Sequence, residues 1–149
     1  MILGRAFPIR TAFASYASED RNEVLGRIQG MQKVMPRLDV FLDVAALPSG
    51  QSWLDTLMKE IRARDIFYLF WSMPAKRSMW VEKEWRAALQ HRGIEFIDPV
   101  PLVSPETVPP PPELGEQLHF NDWVLAYEHG RRRAPRLGVL AKLRGLFGS

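Results

Sequence analysis

The chain of 149 residues contains no cysteine, and its apolar runs are short. The absence of cysteine excludes a disulfide scaffold, a thiolate metal site and a cysteine nucleophile, and it fits a reducing compartment. The longest unbroken apolar run covers only residues 66–71, whereas a membrane span needs about 20 residues. Residues 1–10 have neither a long apolar stretch nor the small-residue cleavage signature of a secretory signal. We therefore expect a cytoplasmic protein without a membrane span.

Charge is divided unevenly along the chain. Lys and Arg together number 20 against 17 Asp and Glu, but every acidic residue lies at or before Glu128. Residues 131–149 hold six of the basic side chains, which leaves 14 basic against 17 acidic side chains in residues 1–130. The body of the chain is therefore mildly acidic, and we expect no nucleic-acid partner.

The basic tail has leucines at roughly helical spacing between its arginines. Such a segment can bind an anionic membrane or a partner helix, and it can equally be a solubilising end or a linker. We predict an N-terminal extension at residues 1–10, one domain at residues 11–130 and this tail at residues 131–149.

Strand and helix patterns alternate along the domain. Residues 66–71 are uniformly apolar, which is typical of a parallel strand covered by helices on both faces. Pro36 ends the first helix, and five prolines make residues 104–112 an irregular connector. The order predicts an α/β fold, with one parallel sheet of five strands between helices. The predicted strands are residues 11–16, 39–43, 66–71, about 95–103 and a short edge strand at 118–120.

Capping and periodicity place the helices. Ser18 and Ser52 are the predicted caps of the first two helices, and later helices are predicted at about residues 79–91 and 122–129. The apolar positions on the first helix are Val24, Ile28, Met31 and Met35, and those on the second are Leu54, Leu57, Met58 and Ile61.

Candidate functional residues follow the predicted strands. In an open parallel sheet, ligands bind outside the carboxyl ends of the strands. Residues 15–16, 43–50 and 72–77 should meet at that edge, and the helix beginning near residue 79 borders it. On this helix Trp80 and Glu84 are four residues apart and share a face beside the apolar stripe. They can form a stacking platform with a charge beside it, although a helical glutamate is more often simply solvated.

Several sequence motifs, in the right order, resemble those of the TIR (Toll/interleukin-1 receptor) domain family. The likeness covers about residues 10–128, and residues 78–85 are especially close to the helix after the third strand of bacterial members. The other segments that carry it are residues 12–16 with 19–20, 40–43 with 47–50 and Trp53, 70–72, and 118–123.

This resemblance implies a flavodoxin-like fold and two modes of action. Some members are adaptors that self-associate, partly through the loop after the second strand. Many bacterial and plant members cleave the N-glycosidic bond of NAD+ with a glutamate that corresponds to Glu84. A tryptophan one turn earlier lines the nicotinamide pocket in bacterial enzymes, and it corresponds to Trp80.

The resemblance also suggests residues for substrate binding. Phe13, Ser15 and Tyr16 are expected under the adenosine. Asp43 either holds a ribose hydroxyl or caps its own loop, and Gly50 serves backbone geometry. Ser72 either contacts the ribose or belongs to a turn, whereas Trp53 is expected to pack rather than to bind.

Cleavage of NAD+ requires few catalytic groups. The pyridinium ring is already cationic and leaves as neutral nicotinamide, so the paired carboxylates of ordinary glycosidases are not required. One carboxylate can stabilise the ribosyl cation, and capture by water or by adenine gives ADP-ribose or a cyclic isomer. NAD+ is here the substrate, so no cofactor is expected. The histidines at 91, 119 and 129 are too scattered to predict a metal site, and no phosphate-binding glycine loop is present.

We therefore expect an NAD+ glycohydrolase or cyclase, acting as a bacterial antiphage or cell-death effector and activated by oligomerisation. Its expected partners are NAD+, a second copy through residues 44–50, and an upstream sensor protein. The alternative is a non-catalytic adaptor or virulence protein that acts through TIR–TIR contacts. A receiver or flavin-binding module on the same fold is less consistent, because the first strand does not end in an acidic pair.

Overall fold

A computed structural model describes residues 9–42, 51–115 and 120–133, and in residues 51–52, 120–121 and 131–133 it describes the backbone alone. Within these ranges, four parallel strands form one sheet in the order β2-β1-β3-β4. The α/β class and the parallel flavodoxin-like sheet are confirmed. The strands are β1 (Thr11–Ser15), β2 (Asp39–Phe41), β3 (Ile66–Trp71) and β4 (Ile97–Pro101).

Six α-helices lie in the described ranges. Short 3₁₀ turns precede α1 and β4, at Ser18–Asp20 and Ile94–Phe96. The helices are α1 (Arg21–Val34), α2 (Gln51–Ala63), α3 (Met73–Arg77), α4 (Met79–Arg92), α5 (Pro112–Gly115) and α6 (Phe120–Arg133). None of them combines the length and apolar character needed to cross a bilayer.

The core is divided by the sheet into two clusters. Successive side chains of a strand point to opposite faces, so Phe13, Phe67 and Leu69 lie on one face and Ala12, Ala14 and Tyr68 on the other. On the first face they pack against α2, α4 and Trp123 of α6, and on the second against α1. All six residues of β3 are buried, as the uniformly apolar run predicts.

Several local predictions need correction. Ser18 lies inside a 3₁₀ turn and donates a hydrogen bond to Glu19 Oε1 at 3.1 Å, so it does not cap α1. Leu54 is 49% exposed, although Leu57 and Ile61 are buried as expected. Residues 73–77, for which no helix was predicted, form the short helix α3. Residues 95–96, predicted in the fourth strand, belong to the 3₁₀ turn before β4.

The last helix of the domain differs from the prediction in its bounds. The last helix is longer than predicted and begins at Phe120, which therefore is not the end of an edge strand. The remainder of the predicted fifth strand, residues 118–119, lies outside the described residues, as do residues 134–149 of the tail.

Candidate functional site

The sheet has its topological switch between β1 and β3. From β1 the chain continues to β2 on one side, and β3 then pairs with β1 on the other side. In doubly wound sheets such a reversal opens a crevice outside the carboxyl ends of the two strands. Ser15 ends β1 and Ser72 follows β3, and both are buried at this edge.

Helix α4 brings a carboxyl group to the same edge. Ser78 caps the helix, since its Oγ accepts a hydrogen bond from the Val81 backbone N–H at 3.2 Å. Val81, Glu84, Trp85 and Ala88 are the buried residues of α4, and their i, i+3, i+4, i+7 spacing is that of a helix face turned to the core. Glu84 thus lies in the buried stripe itself, and the prediction of a neighbouring face is wrong for this residue.

Glu84 is hydrogen-bonded to the end of β1. Its side chain is 6% exposed, and Ser15 Oγ donates to Glu84 Oε1 at 2.8 Å. Ser15 can reach it because residues 13 and 15 of a strand share a face, the face that α4 covers. Burial raises the pKa of Glu84 to about 8, and the hydrogen bond from Ser15 opposes this rise because it favours the carboxylate. Glu84 is therefore mainly protonated at pH 7 in this environment.

One turn before Glu84 on α4, Trp80 forms a pair with a second indole ring. Trp80 is 50% exposed and packs against Trp53 of α2 in a T-shaped pair, with ring centroids 4.6 Å apart. Lys83 Nζ lies over both rings, 5.2 Å from the centroid of Trp80 and 5.7 Å from that of Trp53. The site therefore combines a buried acid with an accessible aromatic surface on the same helix.

The hydroxyl group of Ser72 is already hydrogen-bonded within the protein. Its Oγ donates a short hydrogen bond to Asp20 Oδ2 and accepts one from the Ala75 backbone N–H at 3.1 Å, which caps α3. Because a hydroxyl has one proton, Ser72 cannot donate to a ribose while it is bonded to Asp20. Of the two interpretations offered by the sequence, the turn or cap residue fits this geometry.

The remaining predicted residues are placed differently. Phe13 has no exposed surface and stacks on Phe67 with centroids 5.0 Å apart, so its side chain belongs to the core. Tyr16 is half-buried, and its hydroxyl accepts a hydrogen bond from Arg21 at 2.5 Å. Asp43 and Gly50 lie outside the described residues.

Comparison with families of known proteins matches residues 13–134 to the TIR domain family. The chain belongs to this family. No curated protein sequence matches it significantly. The matched range begins in β1 and ends just after α6, so Ser15, Ser72, Trp80 and Glu84 all lie within the TIR domain.

Three residues of this TIR domain were not assigned to the site by the sequence. Asp20 and Lys83 were given no role in the site, and Trp53 was expected to pack rather than to bind. The spacing of 81, 84, 85 and 88 was the available signal that Glu84 is buried. The pairing of Asp20 with Ser72 joins residues 52 positions apart, and no local pattern carries such a contact.

Proposed function

We propose that this TIR domain cleaves the N-glycosidic bond of NAD+, with the Glu84 carboxylate stabilising the ribosyl cation. One observation carries the proposal: Glu84 is a buried carboxyl group at the switch point, bonded to Ser15 and one turn from a half-exposed indole. An acid placed in a helix's core stripe costs stability, and such acids concentrate at functional sites.

The reaction needs no proton from the protein. The bond between ribose C1′ and the pyridinium nitrogen breaks with its electron pair moving to nitrogen, so neutral nicotinamide leaves. The positive charge left on the ribose is stabilised by the carboxylate of Glu84. Water then adds at C1′ and releases a proton to give ADP-ribose, or a ring nitrogen of the adenine adds to give a cyclic isomer.

Burial of Glu84 serves this chemistry. A charge acts more strongly where water is excluded, because the effective dielectric constant is lower. A pyridinium cation beside the group favours its ionised form and lowers its pKa from the value of about 8. We therefore assign Ser15 to holding Glu84 in place, since its hydroxyl proton is already donated to that carboxyl.

Trp80 supplies a surface for the leaving group. A cation over an indole face gains about 0.5–2 kcal/mol, and half of the Trp80 side chain is accessible. Phe13 contributes through packing beneath this edge, and Ser72 through its cap on α3. Asp43 and Gly50 stay predictions for the ribose and the following turn.

We further propose that activity depends on assembly, as expected for a cell-death or antiphage effector. TIR domains generally act through TIR–TIR contacts, and residues 44–50 of one copy would meet a neighbour near this edge. An upstream sensor would promote the assembly, and the tail at 131–149 is a candidate membrane or partner contact. If so, activity per molecule should rise on concentrating the protein.

The alternative is a TIR adaptor that assembles without catalysis. The exposed apolar side chains of Met79, Trp80 and Leu54, which are 72%, 50% and 49% accessible, favour some form of association. They do not account for the buried acid, because an adaptor surface gains nothing from Glu84 beneath it.

The proposal is tested by incubating concentrated protein with NAD+ and measuring free nicotinamide by chromatography. Wild type should release it, and Glu84→Ala should release only background amounts. Glu82→Ala is the matched control: Glu82 is exposed on the same helix and pairs with Arg86, so this variant should keep wild-type activity. Equal background release by wild type and Glu84→Ala, in protein shown to be assembled, would favour the adaptor.

A further inference from the structure

Lys83 makes an unusual set of contacts beside the proposed site. Its ammonium group lies over Trp80 and Trp53 at 5.2 and 5.7 Å from the ring centroids. Within residues 9–42, 51–115 and 120–133 it pairs with no carboxylate, and the neighbouring acid Glu82 is paired with Arg86 at 2.9 Å. Lys83 is therefore bound to the aromatic pair rather than held by an ion pair.

The position of Lys83 follows from the helix. Residues three apart on an α-helix lie on the same side, so the side chain of Lys83 can lie along Trp80. Trp53 reaches the same place from α2, where the two rings meet at an interplanar angle of 72°. The two indoles form a corner, and one cation already lies against both.

Resting on the proposed function, we infer that Lys83 is a specificity-determining residue: its ammonium competes with the pyridinium cation of NAD+ for the Trp53–Trp80 pair. Both groups are attracted by the same aromatic quadrupoles, and two cations repel each other at such short distance. Lys83 must move off the rings before a pyridinium can stack there.

This competition distinguishes cationic ligands from neutral ligands of similar shape. A neutral nicotinamide gains little from the quadrupole of an indole and is not repelled by an ammonium group, so it can bind beside Lys83 without taking its place on the rings. An exposed cation–π contact corresponds to about a two- to fivefold change in affinity. Removing the ammonium should therefore strengthen the binding of pyridinium cations by this factor and leave neutral analogues, including the dihydronicotinamide of NADH, unaffected.

Tryptophan fluorescence gives a readout that does not depend on NAD+ cleavage. Trp71, Trp85 and Trp123 are buried, whereas Trp80 is 50% exposed and Trp53 beside it is partly exposed, so quenching from solution reports mainly on Trp80 and its partner. The probes are 1-methylnicotinamide, a pyridinium cation, and nicotinamide, which is neutral. The variants are Lys83→Met, Lys83→Arg and the control Lys59→Met, which makes the same change in net charge at an exposed position of α2.

Lys83→Met should bind 1-methylnicotinamide about two- to fivefold more tightly than wild type and nicotinamide equally well. Lys83→Arg and Lys59→Met should behave as wild type. The inference is overturned if Lys83→Met leaves 1-methylnicotinamide binding unchanged, or if it strengthens both probes equally, which would indicate steric unblocking. If the probes respond as expected while no variant releases nicotinamide from NAD+, the proposed function fails, whereas the competition of Lys83 with pyridinium cations for the two indoles stands.

Discussion

At the scale of the residue, two opposing effects set the charge of Glu84. Removal from water favours the protonated form, and the hydrogen bond from Ser15 favours the carboxylate. The balance leaves the pKa at about 8, close enough to neutrality for a bound cation to ionise the group. In the proposed reaction, Ser15 would therefore act on catalysis through the charge of Glu84.

Ser15→Ala should therefore raise the pKa of Glu84 further. A hydrogen bond to a charged group is worth about 1.5–3 kcal/mol, which corresponds to one pH unit or more. We expect kcat/KM for NAD+ at pH 7 to fall at least about tenfold, and the inflection of its pH profile to move upward by about one to two units. A profile that keeps its inflection while activity falls would show that Ser15 acts in another way.

Residue identity in the site was partly predictable from the sequence. Glu84 and Trp80 were found through a family motif together with their four-residue spacing. The roles of Ser15 and Ser72 could not be predicted, because each hydroxyl donates its hydrogen bond to a residue far away in the sequence. The acceptor is 69 positions from Ser15 and 52 positions from Ser72. A sequence shows which groups can donate, but the fold decides which acceptor each one meets.

At the scale of the element, the short helix α3 connects β3 to α4, and a serine lies at each end of it. Ser72 caps α3 and Ser78 caps α4. Ser72 also donates to Asp20, so it ties the turn before α1 to the end of β3. Loss of Ser72 would leave a partly buried carboxylate without this donor.

We predict that Ser72→Ala lowers the free energy of unfolding by about 2–3 kcal/mol and that Ser78→Ala lowers it by about 1 kcal/mol. Urea denaturation of both variants measures the difference, and Ser78→Ala serves as the control for loss of a cap alone. Equal losses would mean that the bond between Ser72 and Asp20 contributes nothing measurable.

Elements were predicted best where the pattern was long. Residues 66–71 are apolar throughout and form the buried strand β3, and α4 begins at Met79, where the sequence placed its start. Helix α3 was missed because a helix of five residues is too short to show helical periodicity. Leu54 was predicted on the buried stripe of α2 but is exposed. Periodicity indicates which face of a helix is buried, but it does not indicate how far along the helix the packing neighbours extend.

At the scale of the whole molecule, Glu84 makes stability depend on pH. Its pKa is about 8 in the folded protein, against 4.5 as its usual value. A group with a raised pKa stabilises the fold fully below its unfolded pKa and loses this effect as pH rises through the folded pKa. The stabilising contribution should therefore decline between about pH 4.5 and pH 8.

Glu84→Gln should remove this dependence, since the amide does not titrate. The difference in unfolding free energy between variant and wild type should shift in favour of the variant from pH 5 to pH 9, by at most about 5 kcal/mol. Urea denaturation across that range measures it, and other titrating groups cancel in the difference. Parallel curves for the two proteins would indicate that Glu84 ionises normally.

The most direct test of the central claim is the pH dependence of kcat/KM for NAD+ cleavage in assembled wild-type protein and in Glu84→Gln. If the buried carboxylate stabilises the ribosyl cation, wild-type kcat/KM should rise about tenfold per pH unit and level off near pH 8. Glu84→Gln should stay at background at every pH. A wild-type profile that is flat from pH 6 to pH 9, or a variant that retains activity within about tenfold of wild type at the plateau, would contradict the account.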